Sequence, residues 1–478
     1  MLPLEDILLL PIVFGLNYVF GTLHIAFDRF LVLDFCHELS ATDCSSAEVS
    51  AAAASWLRWL VVGQIIAGNL SLLPLGAISD WMRTRNPSRK FARAPLLCLQ
   101  LSAIAVRVLV ITLQIWLRLP RWLQLASNIF AGFLGGEGNA AVAGFYTVRG
   151  DAFDASTSDA ERANAFLRLQ LTLQLGRGFA SFINALLVAN ETRDAYVQAL
   201  ALCVVVAFAN AAACGALILV DQPEQPQDSA RIAARRTSVH VSYDDDWNGT
   251  QQQLSATSSV HGKQSSTAMP SASELVDKLK LLHIIIRLRP IAAAIVAALY
   301  VNINVTSGMD AIMMIYLSNL GYGTAASARI DGFGRLAAAA YLLIAPGLVR
   351  LLDAPKTLSL FALLTAFGFA LLAVGSSSGL DALVVTGITL HTARMICLAL
   401  TRAMVAQLVP SERLGTAFFA LAILDQLASL VGDFGLATLL AATAASWPSF
   451  IAWLCVLPSA HCVLLGLQLA DEIPKELL

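Results

Sequence analysis

The chain is 478 residues long, 57% hydrophobic and 13% charged, with a mean hydropathy of +0.69. Soluble domains carry about a quarter of their residues charged, so an ordinary soluble enzyme or binding module is excluded. The formal net charge of -2 says little by itself. Its distribution says more, and no nucleic-acid partner is expected.

About twelve apolar segments of bilayer-crossing length follow one another along the chain. They begin near Ile7, Trp56, Ala94, Trp122, Ala165 and Ala195, and then near Ile291, Thr324, Leu358, Leu380, Gly415 and Phe450. Membrane strands would alternate apolar and polar residues over about ten positions, a pattern the segments do not follow. Arg83, Arg85, Arg89, Lys90 and Arg93 cluster after the second span, and Arg231, Arg235, Arg236, Lys278 and Lys280 sit in the central polar stretch. The positive-inside bias therefore places the central stretch and both termini in the cytosol, in an integral membrane protein expected at the plasma membrane. Glu5 and Asp6 run against that bias at the first span.

Cys36 and Cys44 fall in a loop on the oxidising side, where they can form a disulfide or stay as two free thiols. The other six cysteines lie in apolar spans. Asn190-Glu191-Thr192 is a glycosylation sequon close to the membrane. The central stretch is rich in Ser, Thr, Gln and Asp and cannot bury enough apolar surface to order itself. This divides the chain into an N-terminal bundle (1–220), a disordered cytosolic linker (221–286) and a C-terminal bundle (287–478).

The two halves echo each other. Glu161-Arg162 is followed by Ala165-Phe166 and a run carrying Gln174-Leu175; Glu412-Arg413 is followed by Ala417-Phe418 and a run carrying Gln426-Leu427. A parallel repeat about 250 residues apart in so apolar a chain implies two similar bundles, with a substrate held between them.

Gly76-Ala77-Ile78-Ser79-Asp80, with Arg85, closes the second span. This resembles the cytosolic motif of the major facilitator superfamily. Trp81, Arg83 and Thr84 depart from the family pattern. The resemblance implies an all-α polytopic protein of two six-helix bundles. It also implies a gate in which Asp80 docks on the start of the eleventh span near Gly415, with Glu161, Arg162, Glu412 and Arg413 in the equivalent loops. Thr401-Arg402-Ala403-Met404-Val405-Ala406-Gln407, followed by Glu412, Gly415 and Phe418, resembles the tenth-helix signature of the proton-coupled folate and thymic stromal cotransporter family. Asp310-Ala311-Ile312 with Tyr316, and Gly136-Glu137-Gly138, resemble that family's seventh and fourth helices. Thr172 stands where the family has a fifth-helix glutamate. The resemblance implies a proton-driven carrier of organic, often anionic, solutes.

Ionisable residues inside spans are costly, so each is a functional candidate. Glu137, among glycines, reads as a proton carrier or as the partner of an arginine such as Arg107 or Arg177. Arg402 reads as a carboxylate clamp or as a snorkelling residue. Arg394 and His391 read as an anion contact with a titrating neighbour, or as a structural pair. Asp331 and Arg335, at i and i+4, read foremost as a self-satisfied pair. Asp310, Asp425 and Asp433 are open between site and scaffold. The expected substrate contacts are thus Arg402, Arg394, His391 and Arg177, and the expected coupling acids are Glu137 and Asp310.

No phosphate-binding glycine-lysine loop, His-Glu-x-x-His or CxxC pair is present. The expectation is a non-enzymatic carrier without cofactor, metal or obligate protein partner, acting on a small solute and protons in the lipid bilayer. Symport is the first reading; proton-antiport efflux and a non-transporting receptor are the alternatives.

Overall fold

The computed structural model describes residues 4–40, 47–86, 89–136, 138–151, 153, 159–188, 190, 192–220, 290–322, 324–409, 414–443, 447 and 449–472. The first half consists of α1 (Leu4–Thr22), a π turn (Leu23–Phe27), α2 (Asp28–Glu38), α3 (Ala47–Arg85), α4 (Ala94–Leu117), α5 (Trp122–Phe133), α6 (Gly138–Asp151), α7 (Asp159–Leu187) and α8 (Arg193–Val220). The second consists of α9 (Pro290–Asn319), α10 (Thr324–Leu352), α11 (Ala354–Ser378), α12 (Asp381–His391), α13 (Arg394–Leu408), α14 (Leu414–Thr443) and α15 (Phe450–Glu472). Among the described residues, nine helical stretches are long and apolar enough to cross a membrane by length and composition. The two ends of the bundle are named below for Asp80 and Arg121.

The helices outrun the apolar stretches that announce them. The second span is expected from Trp56 and α3 begins at Ala47; the fifth is expected from Ala165 and α7 begins at Asp159. Hydropathy marks only the part that needs lipid, while backbone hydrogen bonding carries the helix on into polar sequence. Three spans are also broken. The first passes through the π turn, the fourth breaks between α5 and α6, and the tenth breaks between α12 and α13. The fourth breaks at Gly135, whose φ of +68° is the left-handed region that glycine enters without a Cβ penalty.

Packing within one half repeats in the other. α1 packs on α7 as α9 packs on α14, and α4 packs on α8 as α11 packs on α15. The contacts between halves obey the same relation: α7 meets α10 and α13, while α14 meets α3 and α6. The duplicated glutamines lie on these seams. Gln174 accepts from Arg335 of α10 at 3.5 Å, and Gln426 lies against Gly68 of α3.

The acidic start of the chain has a local explanation. Asp6 is buried and takes Arg149 Nε at 2.7 Å on one oxygen and Arg168 Nη1 at 2.5 Å on the other. It therefore neutralises two arginines within the Asp80 end and does not face the surface.

The seam between α3 and α14 closes on a residue without a side chain. A Cβ on Gly76 would stand 3.1 Å from Phe419 Cβ and 3.2 Å from Thr416 Cα. Gly76→Leu is expected to lose roughly 1–3 kcal/mol of stability by overpacking. Thermal unfolding of the purified protein checks this, and an unchanged Tm would contradict the seam.

Candidate functional site

The centre of the site is one carboxylate. Asp310 of α9 is buried, and its Oδ2 takes Arg335 Nη2 of α10 at 2.7 Å. The same oxygen is ion-paired with Arg394 of α13. His391 Nε2, at the end of α12, stands 3.4 Å from Asp310 Oδ1. The break between α12 and α13 is what brings a histidine and an arginine three positions apart to one acid.

The cluster extends to the other half of the protein. Arg335 Nε lies 3.4 Å from Asp331 Oδ1, and Ser181 of α7 donates to Asp331 Oδ2 at 3.1 Å. Arg177, one helical turn before Ser181, feels the charges of Arg335, Asp331, Asp310 and Arg394. Its side chain is only partly buried and makes no hydrogen bond or ion pair with the other described residues. His24, in the π turn, is in electrostatic reach of Asp331. π distortions of this kind recur at functional sites. Three guanidinium charges against two carboxylates leave one positive charge over, before either histidine is counted. The group thus carries an excess of positive charge, and Arg177 is its cation without a side-chain ion pair among the described residues.

Arg402 is not a snorkelling residue. It is buried, its Nε and Nη2 reach the Tyr300 hydroxyl at 3.2 and 3.1 Å, and Nη2 lies 3.5 Å from Asp425 Oδ2. Its guanidinium stands 4.7 Å from the ring centre of Tyr146, on α6 of the other half. Tyr146, Phe166 and Phe418 form an aromatic triangle there, with centroids 5.0, 5.9 and 6.0 Å apart.

Asp80 sits in the last two turns of α3. Its Oδ1 accepts from the Gly415 backbone N–H at 2.8 Å and its Oδ2 from that of Thr416 at 3.0 Å. Two freed N–H groups at the start of α14 thus meet one carboxylate, the arrangement a helix N-terminus favours. Arg93 Nη2 holds the same carboxylate at 2.9 Å and is also ion-paired with Asp151, which lies 3.6 Å from Arg83 Nε.

Other expected residues lie apart from these groups. Arg85 is exposed and stacks on Trp81 at 5.3 Å. Glu161 is exposed, and the Nε of half-buried Arg162 has no partner among the described residues. Cys36 is buried and disulfide-bonded. Glu137, Glu412, Arg413 and Cys44 lie outside the described residues, as do the central linker and the side chain of Asp433. A cavity of about 1000 Å³ opens at the Arg121 end within the first half, lined in part by Asp34, His37, Arg118 and Arg193. It shares no residue with the Asp310 cluster.

The sequence reading misses Arg335, Asp331, Tyr146, Tyr300 and His24 as members of a site. The i,i+4 spacing of Asp331 and Arg335 is visible, but it suggests a closed pair. In the structure Arg335 also serves Asp310, so the pair is open to the cluster.

No protein-family model and no curated protein matches the sequence. Solved structures do match over nearly the whole chain. The human organic anion transporter MFSD10 (TETRAN) is 14% identical with a TM-score of 0.62, over 97% of this chain and 100% of that one. The proton:xylose symporter XylE of the major facilitator superfamily is 14% identical with a TM-score of 0.60, over 97% and 95%. The E. coli fucose:proton symporter FucP is 12% identical with a TM-score of 0.59, over 98% of each. The chain has the major facilitator fold. At these identities the likeness speaks for the fold, and what those proteins carry remains theirs.

Removing Asp310 strands Arg335 and Arg394 without their shared partner, which typically costs about 3–5 kcal/mol in a buried network. Asp310→Ala is therefore expected to lower Tm sharply, whereas Arg177→Gln, which breaks no pair, is expected to leave it near wild type. Equal losses in the two variants would contradict the assignment of Arg177 as the uncommitted cation.

Proposed function

We propose that the chain is a secondary transporter that moves a small organic solute across a membrane by alternating access, coupled to protons and running as a symporter. One observation carries this reading: a buried cluster with one positive charge in excess, shared by α7 of one half and α9, α10, α12 and α13 of the other. A scaffold has little use for three arginines and two aspartates at that depth, because each buried ion is costly. A carrier uses them, because two halves that rock about a shared site expose it to one side and then the other.

In this reading Arg177, Arg394 and His391 contact the solute, and Arg402 joins them in another phase of the cycle. Asp80 docked on α14 holds the halves together at one end. An anion arriving at the arginines competes with Asp310 for them, and a proton then neutralises the carboxylate they leave. That competition makes solute and proton binding mutually supportive. Glu137 is the second coupling acid on the strength of its sequence context. The islands around Arg402, Asp310 and Glu137 support a place near the proton-coupled folate and thymic stromal cotransporters, and the orientation with both termini in the cytosol of the plasma membrane rests on the basic loops.

Reconstituted vesicles loaded with a panel of labelled organic acids test the reading. A proton gradient is expected to drive accumulation of the solute toward the side of lower proton concentration. Movement the other way would establish antiport, and no gradient-dependent flux of any solute would reject the reading. Glu137→Gln is expected to abolish accumulation while sparing counterflow exchange; unimpaired accumulation would leave coupling to Asp310 alone. Arg177→Lys keeps the charge and loses the planar fork, so apparent affinity is expected to fall by roughly tenfold while expression holds.

A further inference from the structure

Arg402 presents a problem that the cluster at Asp310 does not. Its Nε and Nη2 are engaged within its own half, by the Tyr300 hydroxyl and by Asp425, and the Tyr300 ring centre lies 5.9 Å from the guanidinium. Its face is covered from the other half, by Tyr146. The ring is itself fixed: the Tyr146 hydroxyl donates to Gln170 Oε1 at 2.9 Å, and Gln170 Nε2 donates to Met395 Sδ at 3.6 Å. Tyr146 is completely buried, with Phe166 and Phe418 edge-on and tilted beside it. Thus one cation belongs to two bodies, held at its edge by one half and capped on its face by the other.

We propose that Tyr146 is a lid on Arg402: while the halves are joined at the Asp80 end its ring covers the guanidinium face, and when they part that face opens to water and takes the anionic group of a solute. The placement supports a sequence of two stations. Arg177 keeps accessible surface in the joined arrangement, whereas Arg402 has almost none. Arg402 keeps Asp425 and Tyr300 when the lid leaves, so it stays oriented. A guanidinium face is attracted to an aromatic ring most strongly when both are dry, so the lid holds best when no water enters. The anionic class of the ligand rests on the transporter reading above; the lid itself does not.

Arginine modification read residue by residue tests this in the purified full-length protein. Phenylglyoxal reacts with accessible guanidinium groups, and peptide mass spectrometry reports the extent at Arg402, with exposed Arg118 as the internal reference. In the wild type Arg402 is expected to react at least roughly tenfold more slowly than Arg118. Tyr146→Leu is expected to raise the Arg402 rate several-fold, and Tyr146→Phe, which keeps the ring, is expected to hold it near wild type. Should the leucine variant fail to fold, Asp80→Asn opens the seam with Tyr146 in place and is expected to raise the rate likewise. Millimolar benzoate is then expected to slow modification of the uncovered Arg402. Fast modification in the wild type, or no increase in either the leucine or the Asp80 variant, would overturn the lid. A phenylalanine variant as reactive as the leucine one would overturn the role of the ring. Modification indifferent to benzoate would overturn the anion station while leaving the lid. Absence of vesicle flux with this pattern intact would fault the transporter reading alone.

Discussion

An ion stripped of water inside an apolar bundle must find its counter-ion there, and that constraint shapes the interior of this protein. Asp310 is the clearest case. Two arginines from different helices converge on one of its oxygens, and a histidine stands by the other. To bring Arg394 and His391 to the same acid, the tenth span gives up its continuous helix at the junction of α12 and α13. To bring Arg335 there, α10 must lie against α7, which places the cluster on the seam between the halves. The excess of one positive charge follows from that convergence, because Arg177 joins from α7 without a carboxylate of its own.

In the proposed cycle the seams must hold and yet be separable. Where α3 meets α14, the contact is a glycine approach backed by backbone N–H groups on Asp80. With the Thr416 hydroxyl also donating to Asp80, the contact is made at a helix end and not by deep interlocking of side chains, which suits the proposed parting of the halves. The stronger groups, the Asp6 pair and the Arg93–Asp80–Asp151 chain, tie helices within the first half. Strong ionic ties inside a body and a helix-end contact between bodies are what rigid-body rocking needs.

The fold was legible because a bilayer imposes length and hydropathy on each span, and because the Glu161 and Glu412 stretches repeat. The breaks were not. Gly135 marks one, but nothing in the hydropathy of Leu23–Phe27 or of His391–Arg394 distinguishes a distorted helix from a regular one. Single residues were legible as expensive ions, so Asp310, Arg394, His391, Arg402 and Arg177 all stood out. Their partners were not, since Arg335 with Asp331 looked closed at i,i+4 and its second partner is on another helix. Tyr146 gave no signal at all, because an aromatic residue in an apolar span is what any span contains. Motif resemblance alone makes Asp80 and Gly415 neighbours, and the hydrogen bonds between them are a matter of geometry that composition does not hold.

In the proposed cycle an anionic solute and a proton enter one cluster and favour each other's binding. The most direct measurement is proton uptake on solute binding, followed with a pH-sensitive dye in weakly buffered detergent solution. Addition of a transported organic acid to the purified protein is expected to draw up to about one proton from solution per site, the reciprocal of proton-driven transport. Arg177→Gln is expected to show neither binding nor uptake at the same concentration. Saturating binding of the solute to the wild-type protein with no proton taken up would contradict the account.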